Sequence, residues 1–266
     1  MTEFYVDFIA DYGLQMGQDD LAFSEVDLRL CGEFKKLGLD FPTVKNLSVA
    51  PFNTLETGFC VAQLAFNSIL GKNHIVYHNT APRKDELQAR QKNAGEFLAV
   101  TELPNGVRVI GVFGGYTFSF FNTPIYKVKC ATDGSQFRSR DVFPPCVASL
   151  AKHAGKPLET WELLGEQVTE KLPVPENVIC SIDGYGNIKT NIQMDESIKS
   201  LTIGSVTFPV VLGEGIFSVE DGKLILAPGS SGWGDRVFTE ICLRGGSARA
   251  LFNQPKVGQH VILNKE

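Results

Sequence analysis

No apolar run in this chain approaches the roughly 18 residues that a membrane-spanning helix requires. The N-terminal stretch MTEFYVDFIADYG carries acids where a secretory leader would carry bases, so a cytoplasmic protein is expected. A basic excess is missing too: 25 Lys and Arg stand against 30 Asp and Glu, a formal net charge of -5, which excludes the clustered positive face of a DNA or RNA binder. Metal-ligand spacing is also lacking. Cys31, Cys60, Cys130, Cys146, Cys180 and Cys242 form no CxxC, and His74, His78, His153 and His260 form no HxxxH or HExxH pattern on a helix. No metal site and no bound cofactor are therefore expected, and the cysteines read as reduced, mostly buried thiols. What remains is the composition of an ordinary folded protein: 266 residues, 43% hydrophobic and 21% charged, with 19 Phe and no internal repeat. That length suits one large domain or two modest ones.

Apolar patterning divides the chain. FYVDFIADYG reads as a buried strand ending in a turn at Asp11 and Gly13, followed by a helix in LAFSEVDLRLCGEFKKLG that stops at Gly38. NTLETGFCVAQLAFNSILG repeats the helical spacing, with Asn53 or Thr54 as N-cap and Glu56 just inside. HIVYH, EFLAVTEL and VRVIGVF read as strands, and a helix is expected from about Pro145 to His153. Alternating strands and helices predict an α/β domain with a largely parallel sheet over residues 1–168, its ligand beyond the strand C-termini, where Asp11 and Asn79 sit. A proline-bearing linker at 169–175 leads to short β runs, VICSID, IKTNIQM, SVTFPVVL, KLILA, VFTEICL and HVILN, which predict a smaller all-β domain over 176–266.

Two readings compete for the charged segment GSQFRSRDVFPP. In the first, Arg138 or Arg140 pairs with Asp141 to brace the start of the following helix. In the second, the segment belongs to a site with three others: IADYG; SVAPFNTLETGFCVAQ at 48–63; and SIDGYGNIKTNI at 181–192. A weaker fifth stretch is SSGW followed by TEICLRGGSA, which includes Ser231.

In order and across most of the chain, these stretches resemble the S-adenosylmethionine (SAM) hydrolases, or SAM hydroxide adenosyltransferases, and the related SAM-dependent fluorinase and chlorinase. IADYG resembles a TDFG-type strand end whose aspartate grips the ribose hydroxyls, and Asp11 takes that position. Phe52 is the counterpart of a residue packed against the ligand. FRSRD is similar to the hydrolases' FHGRD and the fluorinase's FYSRE, which aligns Phe137, Ser139, Arg140 and Asp141. SIDGYGNIKTNI resembles IDRFGNLITNI, which implies that Asp183, Tyr185 and Asn187 face the ligand.

The resemblance implies that SAM or adenosine is bound as ligand, with displacement at ribose C5′ yielding adenosine and methionine. It further implies a homotrimer whose ligand touches both domains. The hydrolases hold their water with an aspartate, an arginine and a histidine. Here Asn79 replaces the aspartate, Arg83 or Arg90 stands for the arginine, and Arg138 replaces the histidine. His78, beside Asn79, should face away from it on an alternating strand. An impaired binder, or an enzyme with another nucleophile or an anionic substrate, is the competing expectation. Asp11 also has a local alternative as the cap of its own turn, and Asn187 as a turn residue after Gly186.

Overall fold

The computed structural model describes residues 3–13, 21–82, 95–131 and 135–265. It forms two compact units, Met1–Leu172 and Pro173–Glu266. Residues 169–172 belong with the first, where the Lys171 ammonium donates to the Ser119 and Phe121 carbonyls.

The first unit is built around β1 (Tyr5–Ala10), which is apolar on both faces except at Asp7, as a parallel strand covered on both sides should be. Asp7 is buried with its charge partnered by His74 Nε2 at 2.9 Å. Helix α1 (Leu21–Lys36) returns the chain to β2 (Thr43–Ser48), which pairs parallel with β1. The helix ends in a Schellman motif: Gly38, at φ 72°, donates to the Lys35 carbonyl, and Leu39 N–H reaches the Phe34 carbonyl. Helix α2 (Thr54–Asn67) is capped by Asn53, whose side chain accepts from the Glu56 N–H at 3.1 Å. It carries the chain to β3 (His74–Asn79), parallel to β1 on its other flank. The chain thus leaves β1 toward β2 on one flank, whereas the strands that follow β3 lie on the other.

The rest of the sheet departs from the expected parallel arrangement. β5 (Arg108–Val112) lies parallel to β3, but β4 (Leu98–Glu102), β6 (Tyr126–Val128) and β7 (Leu164–Gln167) join antiparallel, in the order β2-β1-β3-β5-β4-β6-β7. The sheet is mixed. Its physical reason is the short β4–β5 connection, which turns at Asn105-Gly106 with Gly106 at φ 85°; a parallel crossover needs about a dozen residues or more.

Alternation along the strands fills two cores. Phe8 and Tyr77, stacked at 4.6 Å, face Phe23, Leu30 and Phe34 of α1 and Val147 and Leu150 of α4 (Pro144–Lys152); a four-residue helix, α3 (Arg138–Asp141), precedes α4. Ile9 and Val76 point the other way, onto Val61 and Ala65 of α2 and onto Phe118 and Phe121. Each fully buried side chain of this size stabilises the fold by roughly 1.5–3 kcal/mol.

The second unit holds a five-stranded sheet, β12-β13-β14-β9-β8, and a three-stranded one, β11-β10-β15. The strands are β8 (Ile179–Ile182), β9 (Ile188–Thr190), β10 (Ile198–Ile203), β11 (Val206–Pro209), β12 (Val211–Leu212), β13 (Leu224–Trp233), β14 (Arg236–Leu243) and β15 (Val261–Lys265). They enclose Ile188, Leu201, Leu226, Ile241 and Val261, joined by Ala248 of the short helix α5 (Ala248–Leu251). Among the described residues no helix is long and apolar enough to cross a membrane.

His78 shows how tightly the first unit is filled. Its ring is fully buried 5.0 Å from Phe118, and a Cβ placed on Gly111 would lie 2.3 Å from it, so only glycine fits there. Neither ring nitrogen has a partner among the described residues, and burial lowers its pKa from 6.5 to about 3. Between those values the unfolded chain binds a proton that the folded one refuses, so stability falls as pH drops through that window. We expect His78→Leu to flatten the decline of the urea midpoint between pH 6.5 and 3, by an amount on the order of 4 kcal/mol in unfolding free energy. An unchanged slope would show that His78 is not the acid-sensitive group.

Candidate functional site

The β1–β3 register sets Ala10 beside Asn79 at the C-terminal edge of the sheet. Because the chain leaves these strands toward opposite sides, a crevice opens there, the place where open α/β sheets bind ligands. A cleft of about 310 Å³ occupies it, lined by Asp11, Tyr12, Asn79, Ala81, Gly95, Glu96, Val112, Gln136, Phe137, Arg138, Ser139 and Phe143. Five residues singled out in the sequence, Asp11, Asn79, Phe137, Arg138 and Ser139, thus meet in one wall.

Asp11 faces two ways. Its Oδ2 accepts the Phe52 N–H at 2.8 Å, a bond to a distant loop rather than a cap of its own turn, while its side chain also lines the cleft. Phe52 is held at φ 61° with half its surface exposed, an unfavourable backbone for a bulky residue that the Asp11 bond helps to maintain. His78, by contrast, is turned away from the cleft into the core, as alternation along β3 requires.

Behind the cleft runs a chain of hydroxyls. Asn79 Nδ2 donates to the Tyr12 hydroxyl at 2.8 Å, the Tyr12 and Ser139 hydroxyls share a short hydrogen bond, and the buried Tyr77 hydroxyl donates to the Ser139 carbonyl at 2.9 Å. Either hydroxyl of the Tyr12–Ser139 pair can be the donor, so the proton between them can lie on either oxygen. The arrangement presents hydroxyls and an amide rather than a base. Tyr12 was not among the residues read as functional. Its signal was present in IADYG: a tyrosine where the TDFG-type motif has phenylalanine brings a hydroxyl that must find partners when half-buried.

The charged segment resolves into two roles. Arg140 pairs bidentately with Asp141, Nε to Oδ1 at 2.8 Å and Nη2 to Oδ2 at 2.9 Å, and reaches Glu25 at 3.2 Å. The Arg140 hydrogen bonds hold the Asp141 carboxyl down at about 2. The first two contacts brace α3 itself, and the Glu25 contact ties it to α1. Arg138 instead lines the cleft. Its Nη1 donates to the Glu96 carbonyl at 2.9 Å, its guanidinium lies 4.8 Å from the Phe143 ring, and among the described residues it has no carboxylate partner. Glu96, also unanticipated, brings a buried Oε1 with no partner among the described residues to the same wall.

Arg83 and Arg90 fall outside the described residues. Asp183, Tyr185 and Asn187 share one turn of the second unit, where Asp183 accepts the Tyr185 N–H at 3.0 Å, the Asn187 N–H at 2.9 Å and the Asn187 side-chain amide at 3.0 Å. The Asp183 and Asn187 side chains are thus engaged in shaping the turn, and Tyr185 projects with 84% of its surface exposed. Ser231 is buried on β13 near Trp233, which packs on Phe238. Among the described residues no group of three or more His, Cys, Asp or Glu is placed to hold a metal ion.

No protein-family model and no curated protein matches the chain. Solved structures do. An uncharacterized conserved protein from Thermotoga maritima matches with a TM-score of 0.71 at 16% identity, over 97% of this chain and 100% of that one. A conserved hypothetical protein from Thermus thermophilus matches with a TM-score of 0.63 at 18% identity, over 98% and 100%. At such identities the likeness shows a shared fold.

The strain at Phe52 yields a prediction. Phe52→Gly removes the penalty of a positive φ and should stabilise the protein by about 1 kcal/mol, read as a higher urea midpoint. A lowered midpoint would mean that contacts of the ring outweigh its backbone strain.

Proposed function

We propose that the cleft binds SAM or another adenosine-containing ligand and that its chemistry is displacement at ribose C5′, inefficient when water is the nucleophile. The observation that carries this reading is the convergence of Asp11, Phe137 and Ser139, from two separate motif stretches, with Asn79 at the end of β3, on one cleft where β1 and β3 diverge. Asp11 keeps acceptor capacity for the ribose hydroxyls beyond its bond to Phe52, and the exposed Phe52 ring stands next to it as a surface for the ligand.

Displacement from a sulfonium releases neutral methionine, so the leaving group needs no general acid, and positioning and desolvation carry most of the barrier reduction. Water needs more. It must be oriented and must lose a proton, and the Asn79 amide, committed to Tyr12, supplies neither a charge nor a base. The Arg138 guanidinium favours an anion at the same place and opposes a sulfonium. The Arg138 guanidinium, which can only donate, therefore also supports a second reading, a binder without turnover or an enzyme whose nucleophile or substrate is anionic.

Incubation of the pure protein with SAM, followed by chromatography for adenosine, separates these readings. The expected result is turnover well below the roughly 1 per second of an ordinary enzyme. Asn79→Asp combined with Arg138→His should raise it, and neither change alone should suffice, because groups acting as a unit are strongly non-additive. Brisk turnover by the unmodified protein would overturn the account of Asn79 and Arg138. For binding, Asp11→Ala should cost roughly 1.5–3 kcal/mol or more of nucleoside affinity in calorimetry; unchanged affinity would remove Asp11 from the site.

A further inference from the structure

Glu96, just before β4, lines the cleft together with Asp11, Asn79 and Arg138. Its Oε1 is buried and has no hydrogen-bond partner among the described residues. The neighbouring cation does not take that oxygen. Arg138 Nη1 donates to the Glu96 backbone carbonyl at 2.9 Å, and the Arg138 Nε is itself buried without a partner among the described residues. A carboxylate oxygen left in that state is costly, and a positive group arriving with a ligand removes the cost. The charged side chains among the described lining residues are Asp11, Glu96 and Arg138, two carboxylates against one guanidinium. Asp11 already accepts the Phe52 amide, so Glu96 carries the uncommitted negative charge of the wall.

We propose that Glu96 is a specificity-determining residue: its carboxylate offsets Arg138 and makes the cleft prefer a nucleoside with a positively charged sulfonium over the same nucleoside with a neutral thioether. This rests on the nucleoside reading above and names the side chain that sets its charge selectivity. A sulfonium has no proton to donate, so a site can attract it only with negative charge and the exclusion of water. A carboxylate bound bidentately by an arginine, as Asp141 is by Arg140, has spent that charge. Glu96 has not, because Arg138 is turned to its backbone carbonyl instead. The two side chains therefore act in opposite senses on the same ligand, Glu96 for the cation and Arg138 against it. Two unit charges about 10 Å apart, at an effective dielectric constant of about 20, shift a binding ratio on the order of tenfold.

The test is calorimetric titration with SAM and with S-adenosylhomocysteine, which share their nucleoside and amino-acid parts and differ by one methyl group and the charge on sulfur. The unmodified protein should bind SAM more tightly. Glu96→Gln, which keeps the shape and removes the charge, should lower that preference about tenfold and leave the affinity for S-adenosylhomocysteine within about twofold. Arg138→Met should raise the preference, and Glu96→Asp should keep it. A purely structural Glu96 would weaken both ligands alike, and that result, or an unchanged preference in Glu96→Gln, would overturn the proposal while leaving the nucleoside reading in place. If neither compound binds the unmodified protein, the nucleoside reading fails and this inference with it. Should Glu96→Gln not fold, the unmodified protein decides: equal affinity for the two compounds overturns the proposal.

Discussion

The parallel pairing of β1 with both β2 and β3 is the constraint on which the first unit depends. Because β1 is flanked on both sides by strands reached through helices, its two faces are covered, and its six residues must be apolar except where Asp7 meets His74. The same pairing fixes where chemistry is available. The chain leaves β1 toward β2 and β3 toward the opposite flank, so the residues just past Ala10 and Asn79 are left at an open crevice. Helix α3 then closes one wall, with Ser139 under Tyr12 and Tyr77 and with Arg140 tied to Asp141 and Glu25.

Electrostatics sets the character of that crevice more than its shape does. Asp11 and Glu96 supply carboxylates, but Asp11 is partly spent on the Phe52 amide. The inner wall offers the Ser139 hydroxyl, which can donate or accept, and the Arg138 guanidinium, which only donates.

How far the sequence revealed this varies with how local the signal is. β1, β3 and β5 were legible because strands buried on both faces are nearly uninterrupted apolar runs, and α1 because its apolar spacing ends at a glycine. β2, TVKNLS, was missed: it is an edge strand with no buried position, so nothing in its pattern marks it. β10, IKSLTI, was missed because alternating polar residues on a half-exposed strand dilute the apolar signal. The antiparallel turn after β4 was readable and overlooked, since Asn105-Gly106 between two strand runs is a hairpin signal. At the cleft, Asp11 and Asn79 could be found from strand ends alone, whereas Glu96 could not, because its side chain acquires meaning only through what folds beside it. Asp183 is the reverse case. The residues that would let it hold a ligand are the same ones that let it hold its own turn, and only the bonds to Tyr185 and Asn187 reveal the second use.

The most direct test of the central claim, that the crevice beyond β1 and β3 is a nucleoside site, is a crystal structure of the protein grown with saturating SAM. The account predicts density for the ligand or its adenosine portion in the cleft, ribose hydroxyls within hydrogen-bonding distance of Asp11 and the Phe52 ring in contact with it. A cleft that stays empty at saturating SAM, or a ligand bound away from Asp11, would contradict it.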